Sequence, residues 1–174
     1  MKLQDLQNQI HAIAKDHGWH DDTIRDAAGI PTVTQFIAWM GLVHSEIVEA
    51  DNEVAHYYNK EGKPEGKVVE LADVKIRLLD VAGALGFEIC LFINTKPAQY
   101  STVQSLHGII AEMTERSRVG GPLSESVRLS LYVAVEAVDR VASLIGYNEG
   151  LFEQIVLEKC EYNRNREYKH GKLA

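Results

Sequence analysis

Residues 66–87, GKVVELADVKIRLLDVAGALGF, decide the fold. Val69, Leu71, Val74, Leu78, Val81 and Leu85 recur at helical spacing, and Gly86 closes the run before an aromatic residue. The spacing predicts a helix over 66–86 with a wide apolar face that other helices must cover. Glu70 and Asp73 sit inside this apolar text, three residues apart and so on one helix face.

Working outward, the same period holds almost throughout. Leu3, Leu6, Ile10, Ile13 and Ala14 predict a helix over 3–17 that Gly18 ends. GWHDDTIRDAAGIP reads as a loop, with Pro31 opening the next helix. Phe36, Ile37, Met40, Val43, Ile47, Val48 and Val54 predict a helix over 33–58, and NKEGKPEGK a polar connector. After a less regular stretch, INTKPAQYST, helices are expected over 102–118, 123–145 and 150–165. No strand-like alternation is found, so the expectation is one all-α domain over 1–174, an antiparallel helical bundle.

Composition bounds the function. A chain of 174 residues with 45% hydrophobic and 25% charged residues can bury one core. Net charge is −7, with no Lys/Arg cluster before the last fifteen residues, which argues against nucleic acid as a partner. No apolar run reaches the ~18 residues of a membrane span, and the amphipathic start lacks the apolar core of a signal peptide. Cys90 and Cys160 form no CxxC, so free thiols and a cytoplasmic location are expected.

An internal echo divides the chain near residue 90. GIIAEMTERSR resembles LVHSEIVEADN, and 123–146 resembles 63–86, each ending in Gly and an aromatic. Matching Gly86 to Gly146 places Ser130 and Val133 opposite Glu70 and Asp73. Matching the acids instead pairs Glu112, Glu115, Glu136 and Asp139 with Glu46, Glu49, Glu70 and Asp73. The two registers differ by about 240° of helix rotation and cannot share a face. The glycine register keeps more apolar identities (Leu71/Leu131, Val81/Val141, Ala82/Ala142). It makes 91–174 a duplicated, degenerate unit that lost the acids of 1–90.

Glu46 and Glu49 share a face as Glu70 and Asp73 do. Two carboxylates at ~4 Å repel by about 4 kcal/mol at an effective dielectric near ~20. Two solvated faces are the plain reading, but the neighbours are apolar: Leu42 and Val43 before Glu46, Val69 and Leu71 around Glu70. Oxygen-seeking Mg²⁺ or Mn²⁺ would relieve the repulsion.

ExxE followed by ExxD resembles the signature of the all-α nucleoside triphosphate pyrophosphohydrolases, the MazG-like proteins related to dimeric dUTPases. IHAIAKDHGWHDD, LVHSEIVEA, GKVVELADVKIRLLDVAGALGFE and EKCEYNRNREYKHGK resemble successive segments of that family. Residues 90–148 depart from single-unit members. The resemblance implies hydrolysis of a nucleoside triphosphate to monophosphate and pyrophosphate, with Mg²⁺ (or Mn²⁺) on Glu46, Glu49, Glu70 and Asp73. Glu49 or Glu46 would orient or deprotonate water. It further implies a homo-oligomer, a dimer, clearing unwanted nucleotides.

Lys159, Asn163 and Arg166 recur on one helix face, with Lys169, His170 and Lys172 beyond. A solvated basic tail is the plain reading; the family match makes them triphosphate contacts. Arg77 and Asp80 continue the Asp73 stripe as supporting groups or a surface pair. Gln35, Trp39 and Leu42 lead into Glu46, so Trp39 is a candidate to stack on a base with Gln35 reading its edge, or a bundle anchor. Trp19 and His20 read better as packing, and His11 and His44 as satisfied buried histidines. Two alternatives remain: a di-iron carboxylate protein, drawing on Glu53/His56 and Glu167/His170, and a non-catalytic relative that binds nucleotide or a helical partner.

Overall fold

The computed structural model describes residues 2–89 and 99–167. Cys90, Lys169, His170 and Lys172, and most of INTKPAQYST, lie outside them. The described chain is mostly helical: α1 (Leu3–Asp16), α2 (Val33–Asn52), α3 (Lys67–Ala84), α4 (Leu106–Gly120), α5 (Glu125–Leu144) and α6 (Glu149–Arg164).

The helix of the opening stretch, α3, is the axis of the bundle. It packs against α1, α2, α5 and α6, while α4 lies across α2 and α5. Val68, Val69, Leu71, Val74, Leu78 and Leu79 are fully enclosed, which is why the apolar positions of 66–86 run almost all round the helix. Phe36, Met40, Val43 and Ile47 of α2 and Leu131, Val135 and Val138 of α5 complete the same core.

Local chemistry sets the ends. Thr32, Ser124 and Asn148 cap α2, α5 and α6, each side-chain oxygen accepting a backbone N–H in the first turn. Three helices end in the same two bonds: Gly18 to Lys15 and Trp19 to Ala14, Gly86 to Gly83 and Phe87 to Ala82, Gly146 to Ser143 and Tyr147 to Ala142. This is a left-handed glycine cap followed by an aromatic residue, exposed at Trp19 and half-buried at Phe87 and Tyr147. Because α1 shares it, the Gly-aromatic match between α3 and α5 reflects cap chemistry as well as any common origin.

The structure corrects several boundaries. Helix α2 stops at Asn52, not residue 58, because Glu53 turns extended, and Val54 is left 93% exposed instead of on the apolar stripe. The carbonyls of Ala55 and His56 then accept the N–H groups of Lys67 and Val68, filling the open donors of α3. Gly66 is required there: its φ is +113°, and a Cβ would lie 2.8 Å from the His56 oxygen.

The connector is not plain loop either. Strands β1 (Tyr58–Lys60) and β2 (Lys63–Glu65) pair antiparallel, Lys60 opposite Lys63. The two turn residues, Glu61 and Gly62, have φ of 52° and 90°, the positive pair a tight hairpin needs, and Asn59 Oδ1 accepts the Gly62 N–H. Pro31 precedes the Thr32 cap and bridges to Arg25 rather than opening α2. Helix α4 starts at 106 because Thr102 and Ser105 bond each other's backbone in a turn.

No helix among the described residues is long and apolar enough to cross a membrane. Cys160 is a buried free thiol, its pKa pushed up to about 12 by burial.

Candidate functional site

Antiparallel α2 and α3 bring Glu46, Glu49 and Glu70 together, with one oxygen of each inside a 4.8 Å group. Glu46 and Glu70 are each 9% exposed, while Glu49 faces solvent. Asp73 opens on the same cleft, but its Oδ2 is held by Lys159 Nζ at 2.8 Å. Glu46 Oε1 accepts from the Arg77 guanidinium at 2.8 Å. Arg77 thus supports the acids from one turn away.

Two cations do not offset the cluster. Burial raises the Glu46 pKa against the pull of Arg77, and Asp73 and Glu49 add to the rise. The Glu70 pKa is pushed up to about 7, first by burial and then by Asp73, against Lys159. Buried carboxylates left short of positive charge take up a proton or a cation. A set of hard oxygen donors at this separation suits a divalent ion of the magnesium or manganese kind.

The acids form one wall of a cleft of about 460 Å³. Opposite them, α6 and the residues after it present Lys159, Asn163 and Arg166. Lys159 is 5% exposed, and Asn163 Oδ1 is buried with no hydrogen-bond partner among the described residues. An orphaned amide in a cleft wall is a place where a ligand would complete the bonding. The Arg166 guanidinium lies 5.7 Å from the Tyr162 ring, and the Arg166 carbonyl is tied to His17 Nε2 at 3.0 Å.

Lys63 reaches the same cleft from β2, steadied by Glu65 Oε1 at 2.7 Å. As part of a polar connector over 59–67, Lys63 carries no helical spacing that would mark it; the hairpin brings it to the cleft. The signal was the Glu61-Gly62 turn, which fixes the direction of β2.

The far end of the cleft is apolar: Ile10, Ile13 and Ala14 of α1, Ile76 of α3, and Trp19. The structure puts Trp19 in the cleft wall and leaves Trp39 in the position of a bundle anchor. Trp19 lines the cleft, with the Arg77 guanidinium 5.7 Å from its ring. Trp39 is 7% exposed, does not line it, and meets His20 edge-on at 5.8 Å between centroids. Gln35 is likewise off the cleft. Its Oε1 accepts the Ile24 N–H at 2.9 Å and pins the 18–31 loop to α2. The Gly18 cap turns the chain so that Trp19 faces back over α1, an effect visible in sequence only as the Gly-Trp pair.

His11 and His20 both bond Asp80 Oδ1, at 2.8 Å each. Burial alone would raise the Asp80 pKa; the two imidazole bonds hold it below the usual value. Asp80 is therefore a partner of histidines, not of Arg77. His44, away from the cleft, stacks on His107 with Nδ1 atoms 2.6 Å apart across α2 and α4.

In the second half, Glu112 pairs with Arg116 and Glu115 with Arg118, both on the surface of α4. Asp139 pairs with Lys75 at 2.6 Å, and Glu136 has its pKa raised by partial burial and Asp139. No metal-holding group forms from these four among the described residues. Glu53 and His56 flank the extended exit from α2, so they do not share a helix face as a di-iron pair requires.

Comparison with protein-family models, curated proteins and solved structures finds no match to this chain.

Proposed function

We propose that the chain is a metal-dependent nucleoside triphosphate pyrophosphohydrolase of the MazG-like all-α kind, converting a (d)NTP and water to a (d)NMP and pyrophosphate. The observation that carries this reading is one cleft with buried, cation-poor acids on one wall and Lys159, Asn163 and Arg166 on the other. That pairing suits a polyanion that arrives with a divalent ion. Two solvated helix faces would leave no reason to bury Glu46 and Glu70.

Glu46, Glu49 and Glu70 would hold Mg²⁺, or Mn²⁺, with Asp73 beside them. A bound ion there supplies neutralising charge for phosphate oxygens and a lowered water pKa. The Glu49 side chain is exposed to the cleft and its carboxylate accepts no hydrogen bond among the described residues, so it is placed to orient water and take its proton. Lys159 and Arg166 offer positive charge to the phosphates, Asn163 a hydrogen-bonding amide, and Lys63 a further cation from the hairpin. Trp19, rather than Trp39, is placed to stack on the base beside the apolar wall.

On this reading 1–90 carries the site and 91–174 is a degenerate second unit that also supplies the basic α6 motif. A cytoplasmic homo-oligomer acting on the nucleotide pool belongs to the same proposal.

The test is to incubate ribo- and deoxynucleoside triphosphates with the protein and Mg²⁺, then identify the products. Monophosphate with pyrophosphate, abolished by EDTA, is the expected result. Diphosphate with orthophosphate would replace the proposal with a different cleavage. Nucleotide binding without turnover would favour the non-catalytic relative.

A further inference from the structure

The apolar end of the cleft holds one charged group that the proposed phosphate chemistry leaves unused. Asp80 lies on α3 one turn beyond Arg77 and faces the cleft, its side chain 19% exposed. Its Oδ1 accepts from His11 Nδ1 and His20 Nε2, which fills both lone pairs of that oxygen. Its Oδ2 accepts no hydrogen bond among the described residues.

The two imidazoles fix this carboxylate through Oδ1 and leave Oδ2 unused. His20 Nδ1 is buried with no partner among the described residues, so the ring's one bond is the one from Nε2 to Asp80. Arg77 is committed to Glu46. The arrangement is tightly packed. A Cβ on Gly83 would stand 2.7 Å from His11 Cγ, so the glycine is what lets the His11 ring lie against α3 beside Asp80. The result is a fixed acceptor in a cleft also lined by Ile10, Ile13, Ala14 and Ile76, where a ligand's N–H or O–H groups would complete its bonding.

Position adds a second constraint. Asp80 is seven residues from Asp73, about 10 Å along the helix axis. That separation matches the reach of a nucleoside from its α-phosphate to the outer edge of its base.

We infer that Asp80 Oδ2 reads the base edge and that the base selected is guanine. This rests on the pyrophosphohydrolase reading and names its substrate class. Guanine presents N1–H and its 2-amino group side by side, two donors toward one carboxylate oxygen. Adenine and cytosine place a ring-nitrogen lone pair beside their amine, and uracil flanks its N–H with two carbonyls. Each of those sets a lone pair against the ionised acceptor. Hypoxanthine keeps N1–H without the amine and falls between.

The experiment compares kcat/KM for GTP, ITP, ATP, CTP and UTP in the wild type and in Asp80→Asn. The expected wild-type order is GTP above ITP above the other three, with GTP ahead of those three by about 10- to 100-fold. In Asp80→Asn the preference collapses to within about threefold, because the neutral amide accepts weakly and can turn its NH₂ to the base. A merely structural Asp80 would lower every substrate by one common factor and keep the ratios, and that result overturns the inference. So does a wild type that prefers another base, a test that needs no variant and stands even if Asp80→Asn fails to fold. Calorimetry with GMP, IMP, AMP and UMP is the second arm. If no triphosphate is cleaved but GMP binds most tightly and loses its advantage in Asp80→Asn, the base reading stands and the hydrolase reading falls. Equal binding of all four monophosphates removes the base reading whatever the triphosphates do.

Discussion

The α2–α3 and α4–α5 hairpins pack against each other, α2 on α4 and α3 on α5, and treat their acids in opposite ways. In α2–α3, Glu46 and Glu70 point inward and lack enough positive charge. In α4–α5, Glu112 and Glu115 point outward, each answered by an arginine three or four residues along its own helix. Asp139 is answered by Lys75. An outward acid with a helical partner costs little and contributes a few tenths of a kcal/mol. An inward cluster is costly unless something else binds to it. The same residue type therefore forms a buried cluster that could hold a cation in one hairpin and a solvated face in the other.

The largest expected effect breaks or upholds that contrast directly. Glu49→Gln should lower metal-dependent pyrophosphate release by about 10³-fold, the scale of a lost general base, while Glu115→Gln stays within about twofold. Equal losses in a steady-state assay would mean the second hairpin carries chemistry too.

The two buried lysines sharpen the comparison. Lys159 holds Asp73 in the cleft and Lys75 holds Asp139 between α3 and α5, beneath the Phe152 ring at 5.5 Å. Removing either leaves a partly buried acid unpaired, at about 1–3 kcal/mol by denaturant titration, less for the more exposed Asp139. Lys159→Met should also reduce kcat/KM by about 100-fold, whereas Lys75→Met should leave it nearly unchanged in molecules that remain folded.

Next come the tryptophans. Trp19→Ala should raise KM by about tenfold through lost base stacking, with little change in melting temperature. Trp39→Ala should destabilise the fold by about 3 kcal/mol and leave the KM of the folded fraction alone. The reverse pattern would return the base to Trp39.

The smallest effects are in pH, with opposite signs at the two junctions. Glu70 has its folded pKa raised from 4.5 to about 7, so the folded state holds its proton longer than the unfolded state. Metal-free protein should carry this stabilisation fully below about pH 4.5 and lose it as pH climbs through 7, by about 1 kcal/mol after solvent screening. Mg²⁺ should offset the loss. His44 has its pKa lowered from 6.5 by burial and by His107. The unfolded state gains that proton first, so the stability of the α2–α4 contact is present above pH 6.5 and drops below it. Chemical denaturation of Glu70→Gln and His44→Asn across pH 4.5–8 should each erase one slope and leave the other.

Much of this was readable in advance where the physics is local. The i, i+3 spacing of Glu46/Glu49 and Glu70/Asp73 fixed which acids share a face. Lys159 and Asn163 share a face of α6 by the same rule, whereas Arg166 lies past the end of α6 and reaches the cleft from the turn after it. The reading slipped where a short polar segment carried the decision. The 53–66 stretch becomes a capped hairpin because Ala55 and His56 serve the N-terminus of α3 and Glu61-Gly62 makes the turn. A helical period extended to residue 58 cannot show that. The stripe that Trp39 shares with Glu46 leaves base stacking and bundle anchoring equally open; in the fold Trp39 is buried against the His20 ring and off the cleft.

By itself the sequence determined the six helical segments, the caps at Thr32, Ser124 and Asn148 and which acids share a face, because each depends on residues within about one turn of one another. Only the tertiary structure decided the rest. It joined Asp73 to Lys159, Glu46 to Arg77, and Asp80 to His11 and His20. It brought Lys63 and Trp19 to the cleft and kept Gln35 and Trp39 out of it. Those meetings cross tens of residues and are set by how α1, α2 and α6 pack around α3, which no local spacing encodes.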